Sequence, residues 1–125
     1  MACIGARVLP LIVEMDSRYQ EAQRIVRQRP RRWLITGVAG FIGSHLLEAL
    51  LKLNQVVVGI DNYATGYARN LEEVREAAGA AAWRNFTFVE GDVRVLSDCR
   101  RACAGADLVL HQEFHAAFFL FKSMI

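Results

Sequence analysis

From Arg32 onward, apolar runs and amphipathic stretches alternate at the spacing of strands and helices. Arg32–Thr36, built on Trp33-Leu34-Ile35, reads as a buried strand. Ile42–Leu53 reads as a helix stopped near Asn54, and Gln55–Ile60 as a second strand rich in the β-branched residues that buried parallel strands favour. Asp61–Gly66 is a polar loop. Tyr67 to about Ala78 forms a second helix, with Leu71, Val74 and Ala78 on one face and Gly79 stopping it. Asn85–Glu90 alternates as a third strand, with Phe86 and Phe88 on one side, and Gly91-Asp92-Val93 turns the chain. Ser97–Ala104 is a short helix, capped by Ser97 or a neighbour and stopped by Gly105; Asp107–His111 is a fourth strand. Strands and helices in strict alternation predict a parallel sheet with right-handed crossovers.

Residues 1–30 share no pattern with this repeat. Asp16 or Ser17 is placed to cap a short helix from Tyr19 to Arg27, which Pro30 ends. Residues 1–14 then read as an upstream extension.

The first strand-to-helix turn carries the most chemistry. Thr36-Gly37-Val38-Ala39-Gly40-Phe41-Ile42-Gly43 spaces three glycines three apart, between an apolar strand and a helix. Such a turn brings bare backbone N–H groups and a helix N-terminus up to a pyrophosphate. Gly37 permits the tight turn, Gly40 the approach of the phosphates, and Gly43 the packing of helix on strand. Asp61 follows Gly43 by eighteen residues, at the end of the next strand, where an acid accepts the ribose hydroxyls of an adenosine. The competing reading is a glycine-rich turn with no ligand.

Composition supports a folded domain and narrows the partners. The chain has 125 residues, room for one domain, and is 54% hydrophobic with 22% charged residues. A net charge of +2 is too small to imply nucleic acid. Arg24, Arg27, Arg29, Arg31 and Arg32 crowd ahead of the first strand, where a solvated arm explains them better than an anion site. Cys3, Cys99 and Cys103 give no disulfide framework, and structural thiols in a reducing cytoplasm are expected. The run Val8–Val13 is broken by Pro10 and too short for a signal or a membrane span.

Five patches resemble the N-terminal part of the extended short-chain dehydrogenase/reductases, within the NAD-dependent epimerases and dehydratases. They are most similar to bacterial 4-epimerases of UDP-N-acetylhexosamines and their uronic acids. The patches are Leu34–Ser44, Asp61-Asn62-Tyr63-Ala64-Thr65-Gly66, Arg69-Asn70-Leu71, Glu90-Gly91-Asp92-Val93-Arg94 and Asp107–Gln112. The resemblance covers about residues 32–112. It implies an α/β, Rossmann-like doubly wound parallel sheet, of which residues 31–112 supply the first half, about four strands. NAD is the implied cofactor. Gly37, Gly40, Phe41, Ile42 and Gly43 would hold its pyrophosphate, and Asp61 its adenosine ribose. Asn62, Thr65 and Gly66 would shape the same loop. Asp92 would receive the adenine amino group, Val93 would pack on that ring, and Gln112 would pass the nicotinamide-side ribose.

The family's later segment, with a catalytic Ser/Thr and a Tyr-x-x-x-Lys pair, has no counterpart here. Four residues after Tyr19, Tyr63 and Tyr67 stand Gln23, Tyr67 and Leu71, and the only lysines are Lys52 and Lys122. No catalytic residue is therefore assigned. Residues 113–125, Glu113 to Ile125, resemble nothing in the family and read as an apolar tail foreign to the fold. The expected product is a truncated or frame-shifted NAD-binding half. A UDP-sugar would be a substrate only in the full-length family. The alternative is a stand-alone dinucleotide-binding module.

The remaining candidates weigh less. His111, Glu113 and His115 lack the His-Glu-x-x-His order of zinc enzymes, so no metal is assigned. His45 reads as a surface histidine, and Cys99 has no base partner in sequence. Phe114, Phe118, Phe119 and Phe121 are too few to span a membrane. A cytoplasmic protein that self-associates through an unfinished sheet edge is expected.

Overall fold

The structure is a computed structural model that describes the backbone of residues 2–112 and the side chains of residues 15–112. Its elements are α1 (Ala2–Gln28), β1 (Arg32–Thr36), α2 (Phe41–Lys52), β2 (Val56–Asp61), α3 (Ala68–Ala78), α4 (Ala80–Trp83), β3 (Phe86–Glu90), α5 (Leu96–Cys103) and β4 (Leu108–His111). The four strands make one sheet in the order β3-β2-β1-β4, and every pair is parallel. The expected α/β, Rossmann-like half is therefore present.

Alternation along β1 and β2 divides the core between the two sheet faces. Ile35 and Val57 join Leu47, Leu50 and Leu51 of α2 and Leu71 and Val74 of α3 on one face. Leu34, Val58 and Ile60 join Cys99 and Ala102 of α5 on the other. Sheet side chains with period two and helix stripes with period 3.6 thus meet on both faces. Phe86 and Phe88 both pack on the first face, as their spacing requires.

After β3 the chain crosses back to the far side of β1, so its winding reverses between β1 and β4. In open α/β sheets the crevice at such a switch point, outside the strands' carboxyl ends, is where ligands bind. Thr36, Asp61, Glu90 and His111 end the four strands on that edge.

The opposite edge is closed by polar side chains. Gln55 is wholly buried. Its Oε1 accepts from Arg31 N at 2.9 Å and Trp33 Nε1 at 3.0 Å, and its Nε2 donates to the carbonyls of Val26 and Leu53, both at 2.9 Å. One carboxamide thereby joins the end of α1, the start of β1 and the α2–β2 turn. Asp107 adds a second link by accepting from Arg32 N at 2.9 Å.

Three expectations need correction. The N-terminal helix does not start at an Asp16 or Ser17 cap but is continuous through both, from Ala2 to Gln28. Both side chains are exposed, where a polar residue of modest propensity is tolerated inside a helix. Ser97 lies inside α5, whose N-cap is Val95. A further helical turn, α4, follows Gly79, whose φ of 87° ends α3. Ala80-Ala81-Ala82 then resumes helix, and Trp83 rests its ring 4.9 Å from Phe86. Other boundaries agree within a residue. The segment 113–125 lies outside the described residues.

Candidate functional site

The turn after β1 is shaped by what its glycines leave out. Gly37 has φ 68°, a left-handed conformation that costs glycine little, and donates to Ile60 O at 2.9 Å. A Cβ on Gly43 would fall on the Gly37 carbonyl oxygen and lie 2.9 Å from Val38 Cα, so α2 approaches β1 as closely as backbone allows. Gly40, the N-cap of α2, offers no side-chain cap, and its N–H donates to Gly37 O at 3.0 Å.

The first intrahelical bond of α2 runs from Ser44 N to Gly40 O at 2.9 Å. The N–H groups of Phe41, Ile42 and Gly43 therefore have no acceptor within the helix. The first turn also holds no acidic residue. Phe41 and Ile42 are 77% and 59% exposed, so their backbone is approachable from solvent. A diphosphate fits this cradle: three donors, the positive end of a helix dipole, and no Cβ in the way. His45 sits on the same helix at the surface, its Nδ1 2.6 Å from the Phe41 carbonyl.

The loop after β2 grips this turn. Asp61 is 4% exposed, and its Oδ2 accepts from Ala39 N at 2.9 Å while its Oδ1 accepts from Tyr63 N at 2.8 Å. The Ala39 carbonyl accepts from Tyr67 N at 3.1 Å and from Asn70 Nδ2 at 2.7 Å. Gly66 is buried against Ala39, and a Cβ there would come within 2.9 Å of the Ala39 Cβ. Thr65 is exposed on the rim of the same loop. Burial, followed by the charges of Glu90 and Asp61, raises the Tyr63 hydroxyl above its usual range.

A second carboxylate stands beyond β3. Asp92 accepts from Arg94 N at 2.8 Å, from Arg94 Nη2 at 2.7 Å, and more weakly from Asn62 Nδ2 at 3.4 Å. The Arg94 side chain, then its backbone N–H, holds the Asp92 carboxyl down to about 2. Asn62 also folds its own loop, its Oδ1 accepting from Ala64 N at 2.9 Å. Val93 points the other way: it is 3% exposed, packed in the α5 face with Leu34 and Ile60. Its carbonyl accepts from the Cys99 thiol at 3.0 Å, which gives Cys99 a packing role.

Across β1, the Thr36 hydroxyl oxygen accepts from Gln112 N at 3.0 Å and lies 2.7 Å from His111 Nδ1. Burial lowers the His111 pKa. Gln112 is exposed at the end of β4, on the far side of β1 from Asp61. Glu113 and His115 lie outside the described residues.

The fold thus sets Gly37–Gly43, Asp61–Gly66, Asp92 and Gln112 along one edge of the sheet. Sequence reasoning missed three parts of this edge: Thr36 as the link to β4, Arg94 as the partner of Asp92, and Asn70 as a donor to the glycine turn. Asn70 left a signal, a polar residue of low helix propensity in the first turn of α3. Thr36 and Arg94 left none that separates them from ordinary strand and turn residues.

The chain is similar in sequence and in fold to known proteins. UDP-glucose 4-epimerase 3 of Oryza sativa subsp. japonica is 35% identical over 80 residues, which cover 62% of this chain and 21% of that enzyme. Among solved structures, the Bordetella bronchiseptica enzyme WbmH in complex with NAD+ superposes with a TM-score of 0.58 at 34% identity, over 70% of this chain and 27% of that one. UDP-glucose 4-epimerase from Bifidobacterium longum, in complex with NAD+ and UDP, gives 0.58 at 30% identity, over 67% and 24%. The chain therefore spans only about a quarter of the length of the proteins it matches. Residues 33–118 match the NAD dependent epimerase/dehydratase family, and with the parallel sheet and its glycine turn this places the chain in that family.

Proposed function

We propose that this chain binds NAD as the N-terminal, adenosine-diphosphate-holding part of a sugar-nucleotide 4-epimerase or dehydratase. In the full-length relatives that architecture would serve transient hydride transfer at C4 of a UDP-hexose, with NAD supplying the hydride acceptor. The reading is carried by the turn from Gly37 to Gly43, whose three helix N–H groups lack an internal acceptor.

The chain's own residues have separable tasks in this reading. Phe41, Ile42 and Gly43 donate backbone N–H groups to the diphosphate. Asp61 accepts from the ribose hydroxyls with the lone pairs that its two backbone bonds leave over. Asn62 and Thr65 line the ribose side, and Gly66 keeps that loop close to the turn. Asp92 is kept ionised by Arg94 and accepts from the adenine amino group. Val93 contributes through its backbone, since its side chain belongs to the core. Gln112 borders the nicotinamide-side ribose.

NAD is favoured over NADP because a 2′-phosphate would meet the Asp61 charge, with asparagine rather than arginine next to it. Titration calorimetry tests this. NAD is expected to bind at least about tenfold more tightly than NADP, a difference of about 1.4 kcal/mol. Equal affinities would contradict the Asp61 role.

A second reading is a dinucleotide-binding module without activity of its own; among these 125 residues no tyrosine has a lysine four positions on. Purified chain incubated with NAD and UDP-glucose is then expected to show no epimerisation. Turnover above buffer would remove this second reading.

A further inference from the structure

We propose that Asn70 is a positioning residue for the diphosphate turn, acting through the Ala39 peptide; the inference rests on the nucleotide-binding reading above. Ala39 lies at the middle of the glycine turn and is wholly buried, so it touches no ligand through its side chain. Its backbone is nevertheless held from both sides by one segment. Its N–H donates to Asp61 at 2.9 Å, and its carbonyl accepts from Asn70 Nδ2 at 2.7 Å and Tyr67 N at 3.1 Å.

The consequence follows from peptide geometry. The Ala39 carbonyl and the Gly40 N–H belong to one planar trans unit, so fixing the direction of one fixes the other. Asn70 holds the carbonyl, and the Gly40 N–H is thereby aimed at Gly37 O, 3.0 Å away. That peptide leads directly into the three free N–H groups of α2. Tyr67 alone leaves the carbonyl a single donor at the start of α3, where no side-chain cap exists. Asn70 is half-buried in the first turn of α3 and is itself tied in by donation from its N–H to Tyr67 O at 3.0 Å. The side chain thus transmits the position of the ribose loop to the phosphate turn without touching either ligand moiety.

A role confined to starting α3 would make Asn70 matter equally for every ligand. A positioning role would make it matter for ligands that carry a diphosphate. Asn70→Ala, measured by calorimetry on the whole chain, is expected to weaken ADP-ribose binding about tenfold and to leave adenosine binding within about twofold. Asn70→Asp, which keeps the size but removes the donor, is expected to give the same split. Equal losses for both ligands, or no loss for ADP-ribose, would overturn the inference.

If both variants fail to fold, the unaltered chain still decides. ADP-ribose is expected to slow hydrogen exchange at the Tyr67 amide far more than adenosine does; equal slowing, or none, would overturn it. Failure of the unaltered chain to bind either ligand would remove the nucleotide-binding reading together with this inference. Binding with an unselective loss would remove the inference alone.

Discussion

The two ends of this sheet are built on opposite terms. At the amino ends of the strands, Gln55 satisfies all four of its polar valences inside the chain, and Asp107 ties the start of β1 to β4. At the carboxyl ends, Asp61 and Asn70 also give hydrogen bonds to the chain, but to hold a turn that leads into the Phe41, Ile42 and Gly43 N–H groups, which have no acceptor within α2. Buried polar groups are costly unless paired, so the closed Gln55 network stabilises the fold, whereas the exposed first turn of α2 leaves donors that a ligand can reach. Stability and binding should therefore separate when each end is altered.

The largest effect is expected at Gly43. A Cβ there collides with backbone rather than with a movable side chain. Gly43→Ala is expected to lose several kcal/mol of stability, of the order seen when a core is overpacked, and to abolish measurable NAD binding. Denaturant unfolding and calorimetry check both. Normal stability and affinity in the Gly43→Ala variant would break the account of the turn.

Gln55→Leu sharpens the contrast from the other end. Removing the carboxamide takes the Gln55 partner from Trp33 Nε1, Arg31 N and the Leu53 carbonyl, while the Val26 carbonyl keeps Arg29 N, a cost of about 2–4 kcal/mol. NAD affinity, measured well below the unfolding midpoint, should stay within about twofold, because no group of the site is touched. A parallel loss of affinity would show that the two ends are not separable.

How much of this could be seen beforehand depends on what sets each feature. The four strands were legible because Trp33-Leu34-Ile35 and Val56-Val57-Val58 report burial directly. The glycine turn was legible because three glycines between an apolar strand and a helix signal close approach of α2 to β1, and Asp61 because it closes the next apolar run. The full length of α1 was not, because Asp16 and Ser17 signal a cap whether or not the chain uses one. Val93 was assigned to the adenine ring by family position, whereas its side chain fills the space beneath α5. The Gln55 hub was hidden for another reason: its four partners lie on three segments, and no local pattern brings them together.

Acid pH probes a smaller effect at the carboxyl edge. His111 titrates lower when folded, so its contribution is present above the unfolded value of 6.5 and is lost as pH falls through the folded value. Stability from chemical denaturation is expected to decline as pH drops below 6.5, and His111→Asn should flatten that limb. Asp92, lowered from 3.8 to about 2, adds a further loss only below pH 3.8, and a modest one because Arg94 is exposed. An unchanged slope in the His111 variant would show that His111 does not shape this limb.

The smallest effect concerns association. Among the described residues β4 pairs only with β1, and Leu108 is exposed beside it. Weak, concentration-dependent association through this edge is expected in sedimentation velocity, and Leu108→Lys should reduce it, since charge on an edge strand opposes pairing. Association unaffected by that change would place the contact elsewhere.

The proposed function places NAD at the carboxyl edge of the sheet and leaves the amino edge to stability alone. Titration of the isotope-labelled chain with NAD, followed by backbone amide NMR, tests it most directly. Saturable shifts are expected at Gly37–Gly43, Asp61–Gly66 and Asp92–Arg94, with Arg31, Gln55 and Asp107 unmoved. Shifts centred on Gln55 and its partners, or none anywhere at saturating NAD, would contradict it.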